Sequence, residues 1–97
     1  MTRTKFNLDD AEKRALRTRG GADAEAYVAV LSFRGPRGAR YRPVRTKAAL
    51  SEAAVRAEAK DIRHRPYARG AYCTGVTLYL IDWRGNVLAD ESLKETA

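Results

Sequence analysis

The stretch from Tyr72 to Trp83 constrains the fold most, because it is rich in β-branched and aromatic residues and is apolar on both faces. At the two-residue period of a strand, one face carries Val76, Leu78 and Leu80, and the other carries Thr77, Tyr79, Ile81 and Trp83. We therefore expect this strand to be central in a sheet. The segment Trp83–Asn86 predicts a hairpin turn, and the chain then returns along a short strand at Val87–Asp90.

A second hairpin is predicted earlier in the chain. Ala26–Arg34 alternates as a strand does, and the Gly-Pro-Arg-Gly sequence of Gly35–Gly38 is a strong turn signal. The return strand is predicted at Ala39–Arg45. Because Pro43 cannot donate a ladder hydrogen bond, we expect this return strand to lie at an edge of the sheet.

Two segments have helical patterns. The first predicted helix is Leu8–Arg19, with Asn7 as its N-cap, acidic residues in its first turns and basic residues in its last. The second is Lys47–His64, an Ala-rich segment with Thr46 as its cap. Pro66 ends it, since the residue before a proline avoids helical geometry.

Together these elements predict a small single α+β domain that spans residues 1–97. The order is helix, hairpin, helix, hairpin (α-β-β-α-β-β). We expect a mainly antiparallel sheet with the second helix packed on one face. Residues 1–6 and 92–97 are expected to be loosely ordered ends.

Positive charge is concentrated in the middle third of the sequence. The 97 residues include 19 Lys and Arg against 12 Asp and Glu, which gives a formal net charge of +7. Residues 34–69 hold 11 basic and 3 acidic residues, whereas residues 70–97 hold 2 basic and 4 acidic residues. The arginine excess has two explanations: GC-rich codon usage, or selection for guanidinium groups that bind phosphate or carboxylate with two donors.

The candidate binding residues are the basic side chains of this middle segment and the tyrosines among them. If the end of the second helix lies near the first hairpin, these side chains form one electropositive face, on which His64 and Tyr72 also lie. The tyrosines are then placed to stack on bases. The predicted binding set is Arg34, Arg37, Arg40, Tyr41, Arg42, Arg45, Arg56, Lys60, Arg63, Arg65, Tyr67 and Arg69.

Few residues of the sequence suit a catalytic or metal site. Cys73 is the one thiol, and we interpret it as a packing residue because it starts the most apolar strand. His64 is the one imidazole, and it lies between two arginines at a predicted helix end. The paired spacings of zinc ligands and the acidic loop of a calcium site are absent. We therefore expect a non-enzymatic protein with no metal and no cofactor.

Two binding functions fit this sequence. In the first, the Arg-rich face contacts the backbone of RNA or DNA with little sequence readout. In the second, the chain is a protein-directed inhibitor or adaptor, for example a phage or mobile-element protein that docks on an acidic protein surface and blocks a host nucleic-acid-handling defence complex. We expect a cytoplasmic protein without a membrane segment, because the sequence has no secretory signal, no long apolar run and one cysteine.

Overall fold

The computed structural model describes residues 5–21, 24–65 and 70–93. Its secondary structure confirms the predicted α+β class and the predicted element order. The elements are α1 (Asp10–Gly20), β1 (Glu25–Arg34), a single 3₁₀ turn (Pro36–Gly38), β2 (Val44–Arg45), α2 (Glu52–His64), β3 (Tyr72–Asp82) and β4 (Val87–Leu93).

The four strands form one antiparallel sheet in the order β2-β1-β3-β4. β3 is central, as its two apolar faces predict, and β2 lies at an edge, as Pro43 predicts. β1 and β3 pair along almost their whole lengths, from Glu25 opposite Asp82 to Arg34 opposite Tyr72. At roughly 3.3 Å per residue, this pairing separates the two ends of the sheet by about 30 Å.

One face of the sheet packs against α2. Val55 and Ala59 of the helix are buried in a cluster with Leu31, Phe33 and other apolar strand residues. Ala59 is the buried alanine of the helix, whereas Ala53, Ala54 and Ala57 are exposed. The N-cap Ser51 accepts a hydrogen bond from the Ala54 N–H, which starts α2 at Glu52, five residues later than the predicted Lys47.

The opposite face packs against α1 and the segment before it. Leu8 and Leu16 are buried against Val28 and Ile81, and the ring of Phe6 meets Tyr79 edge-on at 5.1 Å between centroids. The Phe6 N–H also donates to the Gly85 carbonyl at 2.9 Å. Phe6 is therefore held in the domain, although it falls in the segment that was expected to be loosely ordered.

α1 starts with a reciprocal capping box. The Asp9 side chain accepts a hydrogen bond from the Glu12 N–H at 2.7 Å, and Glu12 accepts one from the Asp9 N–H at 3.2 Å. Asp9 is therefore the N-cap, and the prediction that Asn7 takes this role is wrong. The signal is present in the sequence, because an Asp followed three residues later by a Glu is a capping-box pattern.

The return strand of the first hairpin is shorter than the predicted Ala39–Arg45. Only Val44 and Arg45 pair with β1 as a strand, and Arg40 forms one separate bridge with Arg34. Thr46 follows at once and is buried. Its Oγ1 accepts a hydrogen bond from the Ala29 N–H at 3.0 Å, so this side chain joins β1 and does not cap α2 as predicted.

β4 is longer than predicted and continues to Leu93. Ser92 lies opposite Thr77, and Leu93 lies opposite Val76 at the edge of the α2 face. Both residues fall in the segment that was expected to form a loosely ordered tail, yet they are part of the sheet. Alternation over these residues is weak in the sequence, because acidic side chains occupy the preceding positions.

Candidate nucleic-acid interface

The turn between β1 and β2 presents an arginine in an unusual backbone conformation. The Gly35 N–H donates to the Ala39 carbonyl at 2.8 Å and closes the turn. Within the turn, Arg37 has φ of 62°, which lies in the left-handed region that residues with a Cβ rarely adopt. Gly38 follows with φ of 77°. Arg37 therefore lies at the tip of the turn in a backbone conformation that is energetically unfavourable.

Two more arginines face each other at the base of this turn. Arg34 and Arg40 are antiparallel bridge partners, so their side chains leave the same side of the ladder. Both are exposed, and so is Arg37. Over residues 5–21, 24–65 and 70–93, none of the three forms an ion pair with a carboxylate. Like charges directly opposite each other destabilise a strand pair, so this arrangement is unfavourable for the isolated domain.

The C-terminal end of α2 lies at the same end of the sheet as the turn. The segment before α2 is anchored at the far end, where Ala49 pairs with Tyr27. Ile62, near the other end of the helix, packs on the cluster that contains Phe33. Gly70, the next described residue after Arg65, lies against Pro36. We call this region the hairpin end and define it by Arg34, Arg37, Arg40, Arg42, Arg63 and Arg65.

The predicted tyrosines differ in their accessibility. Tyr41 is half-buried, and its ring lies directly over Gly35, where any Cβ would collide with it. Tyr72 is 55% exposed and lies opposite Arg34, so among the described tyrosines it offers an accessible ring at the hairpin end. Tyr67 and Arg69 lie outside the described residues.

Arg45 is tied into the fold. Its guanidinium donates to both carboxylate oxygens of Glu12, at 2.9 and 3.1 Å, and to the carbonyls of Asn7 and Thr46. Hydrogen bonds from Arg45 hold the pKa of Glu12 at about 2 despite the opposing effect of burial, and the backbone N–H of Ala48 adds to them. The same contact raises the pKa of Arg45. This predicted binding residue therefore joins α1 to β2.

Arg56 and Lys60 lie on the flank of α2 that faces β4. The Arg56 guanidinium pairs with Glu52 at 2.8 Å and with Glu91 at 3.8 Å. Lys60 is one turn further along the helix and lines the same cleft, beside Leu93. The structure therefore places Arg56 beside two carboxylates, halfway along the sheet from the hairpin end.

A second basic region lies at the opposite end of the sheet, and the sequence reasoning missed it. The guanidiniums of Arg17 and Arg84 each lie 4.8 Å from the centroid of the Trp83 ring. A shallow groove beside this ring is also lined by Lys13 and Arg14. We call these five residues the tryptophan end. The available signal in the sequence is the repeated placement of basic residues one turn apart in α1, a placement that also matches the helix dipole.

The turn that carries Trp83 and Arg84 is held by Asp82. Its carboxylate accepts hydrogen bonds from the Arg84 and Asn86 N–H groups, both at 2.9 Å, and from the Asn86 side chain. Burial raises the pKa of the Asp82 carboxyl, but these hydrogen bonds outweigh it and leave the pKa below its ordinary value. Trp83 and Arg84 of the tryptophan end are therefore presented on an ordered turn.

The part of the chain that the structure describes contains no group of three metal-ligating side chains. Cys73 is half-buried, and its thiol contacts the Gly75 carbonyl at 3.5 Å. His64 is exposed in the last turn of α2. Among the described helices, none is long and apolar enough to cross a membrane.

The fold and its surface define a small α+β domain with a four-stranded antiparallel sheet and an arginine cluster at one end. Comparison with protein-family models, with curated proteins and with solved structures finds no match.

Proposed function

We propose that the domain binds the phosphate backbone of RNA or DNA through its hairpin end, with little sequence readout. The observation that supports this proposal most is the arrangement of Arg34, Arg37 and Arg40. Three exposed arginines converge on one turn, and no carboxylate among the described residues neutralises them. A polyanion supplies the missing counter-charge, because guanidinium groups bind phosphate oxygens through two parallel hydrogen bonds.

The backbone conformation of Arg37 supports the same proposal. A residue with a Cβ in the left-handed region costs about 1–2 kcal/mol relative to glycine. The neighbouring Gly38 meets the same requirement without that cost, so an arginine at position 37 is unfavourable for the turn itself. A guanidinium at the exposed tip of a hydrogen-bonded turn is, however, well placed to meet a phosphate. Tyr72 lies beside the arginines and supplies a ring for an unpaired base.

The proposal is tested by titrating a fluorescently labelled oligonucleotide with the parent protein and with two matched double variants. Arg37→Gln/Arg40→Gln removes two positive charges from the hairpin end. Lys47→Gln/Arg56→Gln removes two positive charges from the middle of the domain, where Arg56 already pairs with carboxylates. We expect only the first variant to weaken binding strongly, and to do so by a similar factor for oligonucleotides of different sequence.

The salt dependence of binding gives a second measure. The slope of log K against log salt should become shallower by about 0.7–0.9 for each phosphate contact that is lost. Equal weakening by the two double variants would mean that net charge acts without a defined site, and it would contradict the proposal. No detectable binding at low salt would also contradict it. If affinity purification then gives one protein partner that survives nuclease treatment, the protein-directed inhibitor or adaptor is the better hypothesis.

A further inference from the structure

We propose that the tryptophan end is a second contact site for nucleic acid, which takes an unpaired base of a single strand by stacking on Trp83. The inference shares its class of ligand with the proposed function, but it rests on different residues at the other end of the sheet. The two sites are about 30 Å apart along the paired strands β1 and β3. The structure measures 46 Å along its longest axis.

Trp83 has the environment of a stacking platform. One part of the indole packs against the core under α1, and the rest is accessible, so the ring is anchored and still able to bind. Bases of any identity stack on such a ring, because each base has a π face. Ordered aromatic rings beside a basic groove are the usual means by which proteins hold single strands.

The charges around Trp83 suit a phosphate backbone. Lys13, Arg14 and Arg17 line the groove on the α1 side, and Arg84 lies on the turn side. Among the described residues that line the groove, Asp10 is the acidic one, and Asp82 precedes Trp83 on the turn. Among these described residues, basic side chains outnumber acidic ones, which favours a negatively charged partner.

The present contacts of the ring do not prevent stacking. Arg84 is exposed, and a cation–π contact at an exposed site is weaker than the stacking of a base on an aromatic ring. An incoming base can therefore displace the Arg84 guanidinium from Trp83. The released guanidinium is then free to bind the phosphate next to that base.

Trp83 is the only tryptophan of the chain, so its fluorescence emission reports on this site alone. The experiment titrates the full chain with four ligands: a short single-stranded oligonucleotide, a duplex of the same length, an acidic peptide, and inorganic polyphosphate, which has phosphates but no bases. We expect saturable quenching by the single strand and much weaker quenching by the other three. Lys13→Gln/Arg14→Gln retains the tryptophan and should shift the quenching midpoint to concentrations about tenfold higher.

Three results would overturn the inference. Equal quenching by polyphosphate would show that charge acts without base stacking. Quenching by an acidic peptide but not by the oligonucleotide would indicate a protein partner. Unchanged emission, while the labelled oligonucleotide binds, would show that the tryptophan end is not in contact.

The Arg37→Gln/Arg40→Gln variant separates this inference from the proposed function. If the variant binds and quenches as the parent does, the hairpin end is not the binding site and the tryptophan end remains supported. If the variant loses affinity and the parent shows no quenching, the inference fails and the proposed function stands.

Discussion

The ion pair between Glu12 and Arg45 should make the stability of the domain sensitive to acid. Hydrogen bonds from Arg45 lower the pKa of Glu12 from 4.5 to about 2, although burial opposes them. The Glu12 side chain is 10% exposed and that of Arg45 is 30% exposed, so water screens the pair only in part. A carboxyl whose pKa falls this far on folding contributes roughly 3 kcal/mol to the free energy of unfolding.

Replacing Glu12 by Gln should lower the free energy of unfolding by about 2–3 kcal/mol at neutral pH, because the amide keeps the shape but leaves Arg45 without its counter-charge. The contribution of Glu12 is complete at pH values above the unfolded-state pKa of 4.5. It is lost progressively as the pH falls towards about 2, where the folded carboxyl is protonated too. The stability difference between the parent and Glu12→Gln should therefore shrink over this range.

The measurement is urea unfolding, followed by Trp83 emission, at several pH values from about 7 down to about 3. Glu25→Gln is the matched control, because it removes one carboxylate that is exposed and forms no ion pair within the described ranges. The reasoning is refuted if the effect of Glu12→Gln is the same at every pH. A loss below about 0.5 kcal/mol at neutral pH would also refute it.

Three further substitutions test how the turns and the core are built. In thermal unfolding, Gly85→Ala should lower the free energy of unfolding by about 2–3 kcal/mol, because Gly85 has φ of 96° and the new Cβ would meet the Phe6 carbonyl. Gly75→Ala is the control: its Cβ enters open space, so it should change the free energy of unfolding by less than about 0.5 kcal/mol. Thr46→Val should cost about 1–3 kcal/mol, since it leaves a buried β1 N–H without an acceptor, and Thr46→Ser should recover most of the loss. Arg37→Gly should be more stable than Arg37→Ala by about 1 kcal/mol, yet both should bind oligonucleotides equally weakly; equal stability would contradict the strain assigned to this turn.

Much of the fold could be predicted because its signals are local. The apolar faces of Tyr72–Trp83 indicate a central strand, and Pro43 indicates an edge. The two turn sequences identify the two hairpins. The element order follows from these signals together with the helical pattern of α2.

The boundaries around Thr46 could not be predicted in this way. Its hydroxyl is an equally good acceptor for a helix N–H or for a strand N–H, and residue preferences indicate the first. In the structure Thr46 bonds the Ala29 N–H, seventeen positions earlier in the chain. Ser51 then caps α2, so a tertiary contact decides where the helix starts.

The charge of a segment predicts a binding surface only as far as its side chains remain free of partners within the fold. Arg45 pairs with Glu12, thirty-three positions away, and Arg56 pairs with Glu91. The charge excess of residues 34–69 therefore overstates the positive charge that is available for binding near the first turn. Adding charges segment by segment also understates the positive charge at the tryptophan end. There, α1 and the β3–β4 turn bring Arg17 and Arg84 together from segments of small net charge. If binding depends on both ends, it should depend on where the charges lie in the folded domain. The decisive comparison is therefore between variants that remove the same number of charges from different positions.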